Sequence, residues 1–411
     1  MPEFLKLTPV PQALQTLLTH VEANINPECI RTLDALGRVT AGSVCSPISM
    51  PPFPRSTVDG YAVRAADTFG ASESLPAYLK VVGEVLMGGE PGFDIKQGEA
   101  GLIHTGGMLP ISCDAVVMVE LTQTVGTDIV EILRAVAVGE NTIKEGEDVL
   151  AGEEVIQPGS RIRPQEIGGL AALGILELDV ARKPIVGIIS TGDEVVSAEH
   201  ELRPGQVRDI NTHTLSALIE RTGGSTRAYG IFPDDYDQLA YISAQALAEC
   251  DVLLITAGSS ASARDLTSRV INSLGSPGVL VHGVNIRPGK PTILAVCDHK
   301  VVIGLPGNPV SAFVIAGFYV VPVIEKLLGI REPGVRFRLQ ARLTTNLPSL
   351  AGREDWVAGC LQGNPPEYMV APIFSKSNLI FSLVRANCLI RVPPDATGLA
   401  EGEMVEVLLL S

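Results

Sequence analysis

From Lys183 to about Gly329 the chain alternates short aliphatic runs with longer amphipathic ones: "PIVGIIS", "THTLSALIERTG", "STRAYGI", "YDQLAYISAQALAEC", "DVLLITA", "RDLTSRVINSLG", "TILAVCD", "KVVIGL" and "PVSAFVIAGFYVVPVIEKLLG". Strands this apolar must be covered on both faces, and helices reached by crossover connections provide that cover. The pattern predicts a doubly wound α/β domain over 183–329. Ligands of such folds sit outside the carboxyl ends of the strands, so the residues after each strand are the ones to read for function.

The chain has 411 residues, too many for one core, and its flanks follow other patterns. "VPQALQTLLTHVEA" reads as an amphipathic helix near 10–23, and the Pro-rich stretch that follows marks a domain crossing. "YLKVVGEVL", "EAGLIHTGG", "DAVVMVE" and "VEILRAVAV" are strand-like runs parted by Gly, Asp and Pro, which predict a β domain over 51–144. A helix-like stretch after Arg163 is expected to return beside the N-terminal helix, giving a discontinuous first domain of 1–50 and 145–182. From 330 to 411, "VRFRLQARLTT", "DWVAGCLQ", "NCLIRVP" and "EMVEVLLL" predict a small barrel or sandwich.

With 31 Lys and Arg against 46 Asp and Glu, the net charge of −15 argues against a nucleic-acid surface or an anionic membrane. A locally basic pocket remains compatible with it. Cys29, Cys45, Cys113, Cys250, Cys297, Cys360 and Cys388 contain no C-x-x-C pair and are odd in number, which predicts buried reduced thiols. No H-x-x-x-H pair supports zinc. "MPEFLKLTPVPQAL" has no signal-peptide core and no uninterrupted apolar run reaches membrane-spanning length, so a cytoplasmic location is expected.

The functional signal lies in the loops. "PIVGIIS" leads into Thr191, Gly192, Asp193 and Glu194; "RAYGI" into Phe232, Pro233, Asp234 and Asp235; "DVLLITA" into a loop with Gly258 and Ser260 that runs to Asp265; "VVIGL" into Pro306, Gly307, Asn308 and Pro309. Parallel strands would bring all four loops to one edge. Small residues there let backbone N–H groups approach phosphate, while the acidic ones either hold Mg²⁺ or cap helices. Asn308 suits an N-cap and Pro309 the first helical position. "NIRPGKP" adds Arg287 and Lys290, a pair suited to an oxyanion. Neither a Walker A motif nor G-x-G-x-x-G occurs.

"STVDGYAVRAAD", "IHTGGMLP", "DAVVMVE", "EGEDV", "STGDEVV", "TAGSSASARD", "NIRPGKP" and "GLPGNPVSAF" occur in the order found in the molybdopterin molybdenumtransferases, the MoeA family that includes the gephyrin E domain. The chain resembles that family over nearly its whole length. The resemblance implies an α/β multidomain subunit: a central doubly wound, MogA-like domain, two mainly β domains and an elongated α+β linker domain. It implies an L-shaped homodimer that inserts molybdate, or tungstate, into adenylylated molybdopterin and releases AMP in a Mg²⁺-dependent step, with a molybdopterin adenylyltransferase as partner.

Carried over by motif, Asp59 and Thr105 reach the partner subunit's cleft, and Asp148, Glu194, Asp234 and Asp265 are acidic site positions, with Asp234 and Asp265 the candidate Mg²⁺ ligands. Pro306 to Pro309 frame a pterin-nucleotide and oxyanion pocket, and Arg353 and Ser377 bring polar groups to the molybdate. Residues 257–262, Ala-Gly-Ser-Ser-Ala-Ser, stand where the family commonly has Gly-Gly-Val-Ser-Val-Gly. Two other readings stay open: a molybdopterin adenylyltransferase-like enzyme, and a catalytically idle molybdopterin-binding scaffold.

Overall fold

The computed structural model describes residues 7–23, 25–257, 261–331 and 338–410. The chain forms two compact units, one of Met1–Gly42, Pro158–Arg163 and Glu177–Ser411, the other of Ser43–Gln157 and Pro164–Leu176.

In the larger unit a six-stranded sheet runs Ser225–Phe232, Ile185–Thr191, Val252–Ala257, Lys300–Pro306, Ile293–Cys297, Pro277–His282. The first four strands are parallel to one another, and the last two pairings are antiparallel. Alternate residues feed two cores. Ile188, Leu254 and Ile303 pack with Leu215, Ile219 and Val314 on one face, while Ile189, Leu253, Ile255 and Val302 pack with Leu239, Ala246 and Val270 on the other. Each such side chain contributes about 1.5–3 kcal/mol by burial, so the strands tolerate no polar face.

The antiparallel edge departs from the pattern expected for a doubly wound sheet. Asp298 and His299, both at positive φ (47° and 71°), join Ile293–Cys297 to Lys300–Pro306 in a two-residue hairpin turn. Asp-His is not the usual residue pair for this geometry, so nothing in the sequence pattern marked it.

The first helix is Val10–Leu18, shorter than the expected 10–23, and it buries Val10, Ala13 and Leu17 in the first core of the α/β unit. Lys326 Nζ donates to the Leu18 carbonyl at 2.7 Å, satisfying the helix end. The helix after Arg163, Pro164–Ala172, belongs to the other unit. The helix Pro309–Leu327 contains a π-helical stretch, Ala316–Val320, just before Pro322, whose missing N–H loosens the ladder. It is long and apolar enough to cross a membrane by length and composition, and 61% of that stretch is buried inside the fold's own core.

The C-terminal strands close into a five-stranded barrel. Glu354–Gln362 pairs with both Met369–Pro372 and Cys388–Val392, and Arg338–Leu343 and Met404–Leu409 complete the ring. Gly359 sits where the long strand passes from one partner to the other, and a Cβ there would lie 2.9 Å from Ile390 and 3.1 Å from Val370. Ile286–Arg287 adds to this barrel in parallel with Glu354 and Asp355, tying the "NIRPGKP" turn to it.

The smaller unit carries a six-stranded sheet ordered Ala115–Met118, Gly60–Val63, Glu99–Ile103, Ala77–Val85, Ile129–Ile132, Thr122–Val125. Gly60 of the "STVDGYAV" run is required by packing, since a Cβ would fall 1.9 Å from the Val117 carbonyl oxygen.

All seven cysteines are free, but the expectation that they are buried holds only in part. Cys250, Cys297 and Cys388 are buried, and burial pushes the Cys297 and Cys388 thiols up to about 11 and about 12. Cys29 and Cys45 are exposed because they lie on short two-stranded ribbons.

Candidate functional site

A cleft of about 870 Å³ opens between the α/β turns and the barrel of the larger unit. Arg287, Lys290, Pro306, Asn308, Arg353 and Ser377 all line it. These six come from four separate stretches of sequence. Strand pairing sets Arg287 opposite Asp355, a carboxylate only 2% exposed. Asp355 accepts from Arg353 Nε at 2.9 Å and Ser349 Oγ at 2.8 Å, and Arg287 Nη1 stands 3.5 Å away. One buried counter-charge therefore orients two guanidinium groups whose remaining N–H donors are left for a ligand. Lys290 and Lys376 also line the cleft, and neither has an ion-pair partner among the described residues.

The neighbouring Glu354 holds the wall behind. Its Oε1 accepts from Trp356 Nε1 at 3.1 Å and Arg391 Nε at 2.9 Å, and Trp356 packs on Phe318 with ring centroids 5.0 Å apart.

The Pro306 to Pro309 turn is clamped from both sides. Asn211 Nδ2 donates to the Gly307 carbonyl at 2.8 Å, and Val310 N–H donates to the Ser377 carbonyl at 3.1 Å. Asn308 occupies the N-cap position with extended backbone, yet its side chain makes no capping bond. Its Nδ2 donates instead to Ser377 Oγ at 3.0 Å, which corrects the expected cap: the amide bridges turn and barrel. Pro309 does occupy the first helical position.

The four parallel strands bring their following loops to one edge of the sheet, with strand order reversing beside Ile185–Thr191. Thr191 and Gly192 are buried at that edge. Gly192 has φ 137°, and a Cβ there would meet Val195 at 2.9 Å and Glu194 Oε2 at 3.0 Å. Asp193 Oδ1 accepts from Asp234 N–H at 3.4 Å. Burial raises the Asp234 pKa, the Thr191 hydroxyl opposes that shift, and the charges of Asp193 and Glu194 add to it. The capping role falls one residue later, where Asp235 accepts from Gln238 N–H at 2.9 Å at the start of Tyr236–Glu249. Asp265 is exposed and lies within the helix Ala261–Ser273. Ser260 lies outside the described residues. Among the described residues no three His, Cys, Asp or Glu side chains gather in a group able to hold a metal ion.

Sequence reading missed a buried polar network beneath this edge. Asp209 accepts from Ser190 Oγ at 2.8 Å, Thr212 Oγ1 at 2.6 Å and Thr212 N–H at 3.1 Å, and Thr256 Oγ1 donates to Ser190 Oγ at 3.2 Å. The available signal was "DINTHT", an acid and hydroxyls immediately before an amphipathic helix, as in a capping segment.

In the smaller unit Asp59 Oδ1 accepts from Thr105 N–H at 2.8 Å and Thr105 Oγ1 at 3.2 Å. These bonds hold its carboxyl below the usual carboxylate range. Asp148 lines a separate pocket of about 240 Å³ with Met50, Glu166 and Leu170.

Three family descriptions match in succession: "MoeA N-terminal region (domain I and II)" at residues 8–174, "Probable molybdopterin binding domain" at 187–326 and "MoeA C-terminal region (domain IV)" at 340–410. The chain is 31% identical over 411 residues to the molybdopterin molybdenumtransferase of Bacillus subtilis, covering 98% of this chain and 95% of that protein. It is 32% identical over 402 residues to the molybdopterin molybdenumtransferase of Haemophilus influenzae, covering 96% and 97%. A crystal structure of the molybdopterin biosynthesis MoeA protein from Pyrococcus horikoshii superposes with a TM-score of 0.84 at 38% identity, covering 99% of this chain and all of the other.

Proposed function

The chain belongs to the MoeA family and is an enzyme of the molybdopterin molybdenumtransferase type in molybdenum cofactor biosynthesis, and on that premise we propose its substrates and the roles of its residues. The reaction joins molybdenum from molybdate, or tungsten from tungstate, to the dithiolene of adenylylated molybdopterin and releases AMP. The observation that carries this reading is the cleft lined by Lys290 and by Arg287 and Arg353, the two arginines set against a buried carboxylate, Asp355.

Lys290 supplies a point charge to the oxyanion, and Arg287 and Arg353, oriented by Asp355, donate planar pairs of N–H groups. Asn308 and Ser377 hold the turn against the barrel, and Thr191, Gly192 and Pro306 to Pro309 form the pterin-nucleotide wall. Hard carboxylate oxygens at the sheet edge suit Mg²⁺, and with no three-residue cage among the described residues the fit requires substrate phosphate oxygens as further ligands. Asp234 and Asp265 would hold the ion, with Glu194 as a further acidic group. Once bound, Mg²⁺ would neutralise phosphate charge at the bond that breaks.

The enzyme works as a homodimer in which Asp59 and Thr105 of one copy serve the partner's site, and it receives its substrate from a molybdopterin adenylyltransferase. Mixed dimers of Asp59→Ala and Asp265→Ala subunits then regain about one intact site, while each parent stays inactive. The direct test incubates the purified protein with adenylylated molybdopterin, Mg²⁺ and either oxyanion and follows AMP. Release no faster than the uncatalysed rate with both oxyanions rejects the reaction.

A further inference from the structure

We propose that His104 is a positioning residue for the reaction: as a cation held between Glu84 and Asp59, it pins one carboxylate oxygen of Asp59 and leaves the other free for a ligand. The inference rests on the reading that Asp59 serves a transferase site. Sheet register brings the three residues together. The strand Glu99–Ile103 lies between Gly60–Val63 and Ala77–Val85. Antiparallel pairing of Gly60 with Ile103 sets Asp59 opposite His104, and parallel pairing of Glu84 with Leu102 puts Glu84 and His104 on one face of the sheet. One acid therefore reaches the ring from each side.

Each ring nitrogen meets a carboxylate. Nε2 lies 2.9 Å from Glu84 Oε1, a hydrogen-bond distance, and Nδ1 lies 3.8 Å from Asp59 Oδ1, a charge contact longer than a hydrogen bond. A neutral imidazole donates from one nitrogen only and would turn the lone pair of the other toward a carboxylate, whereas the protonated ring has an N–H for each. The arrangement is built for the imidazolium. Among the described residues these two carboxylates are its ion-pair partners, and the Glu84 carboxylate has no other hydrogen-bond partner.

The consequence for Asp59 follows from its own bonds. Thr105 N–H at 2.8 Å, Thr105 Oγ1 at 3.2 Å and the His104 ring all fall on Oδ1. Among the described residues nothing donates to Oδ2, and the side chain is 62% exposed. The Thr105 bonds lower the carboxyl below its ordinary range, partial desolvation opposes them, and the charge of His104 adds to the lowering. Thr105 and His104 thus fix one oxygen, and the other is left to accept from a ligand N–H or O–H. Glu84 holds the ring in place, since its bond to Nε2 ties down a side chain that is 39% exposed.

The full-length protein and its His104→Gln, His104→Lys, Glu84→Gln and Asp59→Ala variants are compared for AMP release from adenylylated molybdopterin over a pH series. His104→Gln should release AMP about two- to fivefold more slowly than wild type at about pH 6, the range for an exposed ion pair, and the gap should close by about pH 9 as the wild-type ring loses its charge. Glu84→Gln should show a smaller loss of the same form, and His104→Lys, which keeps a cation, should retain most of the rate. Thermal melts confirm that the variants are folded. A second measurement needs no turnover: carbon NMR of labelled Asp carboxyl groups should show the Asp59 midpoint moving up in His104→Gln. Equal rates for His104→Gln and wild type at every pH, a loss that does not vary with pH, or an unmoved Asp59 midpoint overturns the proposal. An inactive Asp59→Ala beside a fully active His104→Gln sinks this inference alone, whereas an Asp59→Ala chain as active as wild type sinks the reading of Asp59 and the role of His104 with it. Where the wild type itself releases no AMP, the reaction is rejected and the Asp59 midpoint alone decides whether His104 pins the carboxylate.

Discussion

The cleft beside the barrel is lined by Arg287, Lys290, Arg353 and Lys376, with the two arginines set on one buried counter-charge, whereas the carboxyl edge of the parallel sheet gathers Asp193, Glu194 and Asp234 with no side-chain cation paired to them among the described residues. The first region is assembled before any ligand arrives: Asp355 fixes the arginines and Asn308 fixes the turn. Preorganised donors of this kind need no rearrangement to receive an anion. The second is an arrangement of mutually repelling acids, eased only when a cation comes with the ligand. A reaction that joins an oxyanion to a phosphate-bearing pterin would use both: one site already built, one completed by its substrate.

The largest expected effect tests the built site. Lys290→Ala should weaken molybdate or tungstate binding by about 1–3 kcal/mol, the range for a charge-assisted hydrogen bond. The loss should shrink at high salt because the Lys290 side chain is exposed. Titration through Trp356 fluorescence measures it, and an unchanged affinity would mean that the arginines and backbone suffice. At the other region, Asp234→Asn or Asp265→Asn should raise the Mg²⁺ concentration for half-maximal AMP release about tenfold, the loss of roughly 1.4 kcal/mol expected when a charged ligand goes. An unchanged Mg²⁺ response in both variants moves the metal role to Glu194.

This contrast was only partly legible in the sequence. The strands and their loops could be read because "DVLLITA" and "KVVIGL" have no polar face, which forces helices onto both sides. The cations could be read because Arg287 and Lys290 flank a Pro-Gly turn, and the resemblance added Arg353 and Ser377. Asp355 went unread: two residues after Arg353 in "GRED" it resembles any surface acid, and only the pairing of Ile286–Arg287 with Glu354 and Asp355 shows it buried between two arginines. Asp209 was hidden for a similar reason, since it accepts from Ser190 on a neighbouring strand, and Ser190 in turn accepts from Thr256 on another. At Asn308 the capping rules gave the right kind of residue the wrong partner. A side chain at a helix start follows whichever acceptor or donor tertiary packing brings nearest.

That choice of partner sets the next prediction. Asn308→Ala should cost about 1 kcal/mol through the lost bond to Ser377 Oγ, and Ser377→Ala a similar amount. The two losses should not add, because the pair share one interaction. Asn308→Ser separates the readings: serine is a good N-cap but is too short to reach Ser377, so stability should stay at the alanine level. Recovery with serine would restore the capping role. At the acidic edge Asp235 is the true cap, and Asp235→Ala should cost about 1 kcal/mol of stability in thermal melts.

The smallest effect concerns the neighbour of that cap and has the opposite sign. Burial and the nearby Asp193 and Glu194 raise the Asp234 pKa above its ordinary 3.8, with the Thr191 hydroxyl pulling the other way, so the folded state holds this proton more tightly than the unfolded chain. The group's favourable contribution is therefore complete below the ordinary carboxylate range and is lost as pH rises through the raised value. At neutral pH the ionised carboxylate is a net cost. Asp234→Asn removes that cost and should melt slightly higher than wild type at pH 7, by less than about 0.5 kcal/mol, the usual range for an exposed loop position. The advantage should fade on acidification through the carboxylate range, where the wild-type group takes up its proton and the two chains converge. Melts at a series of pH values, with Asp235→Asn as a cap-preserving control, measure the difference. A variant that melts lower than wild type at pH 7 would mean that Asp234 is already paired favourably. The edge would then need no cation from its ligand, and the contrast between the two regions would close.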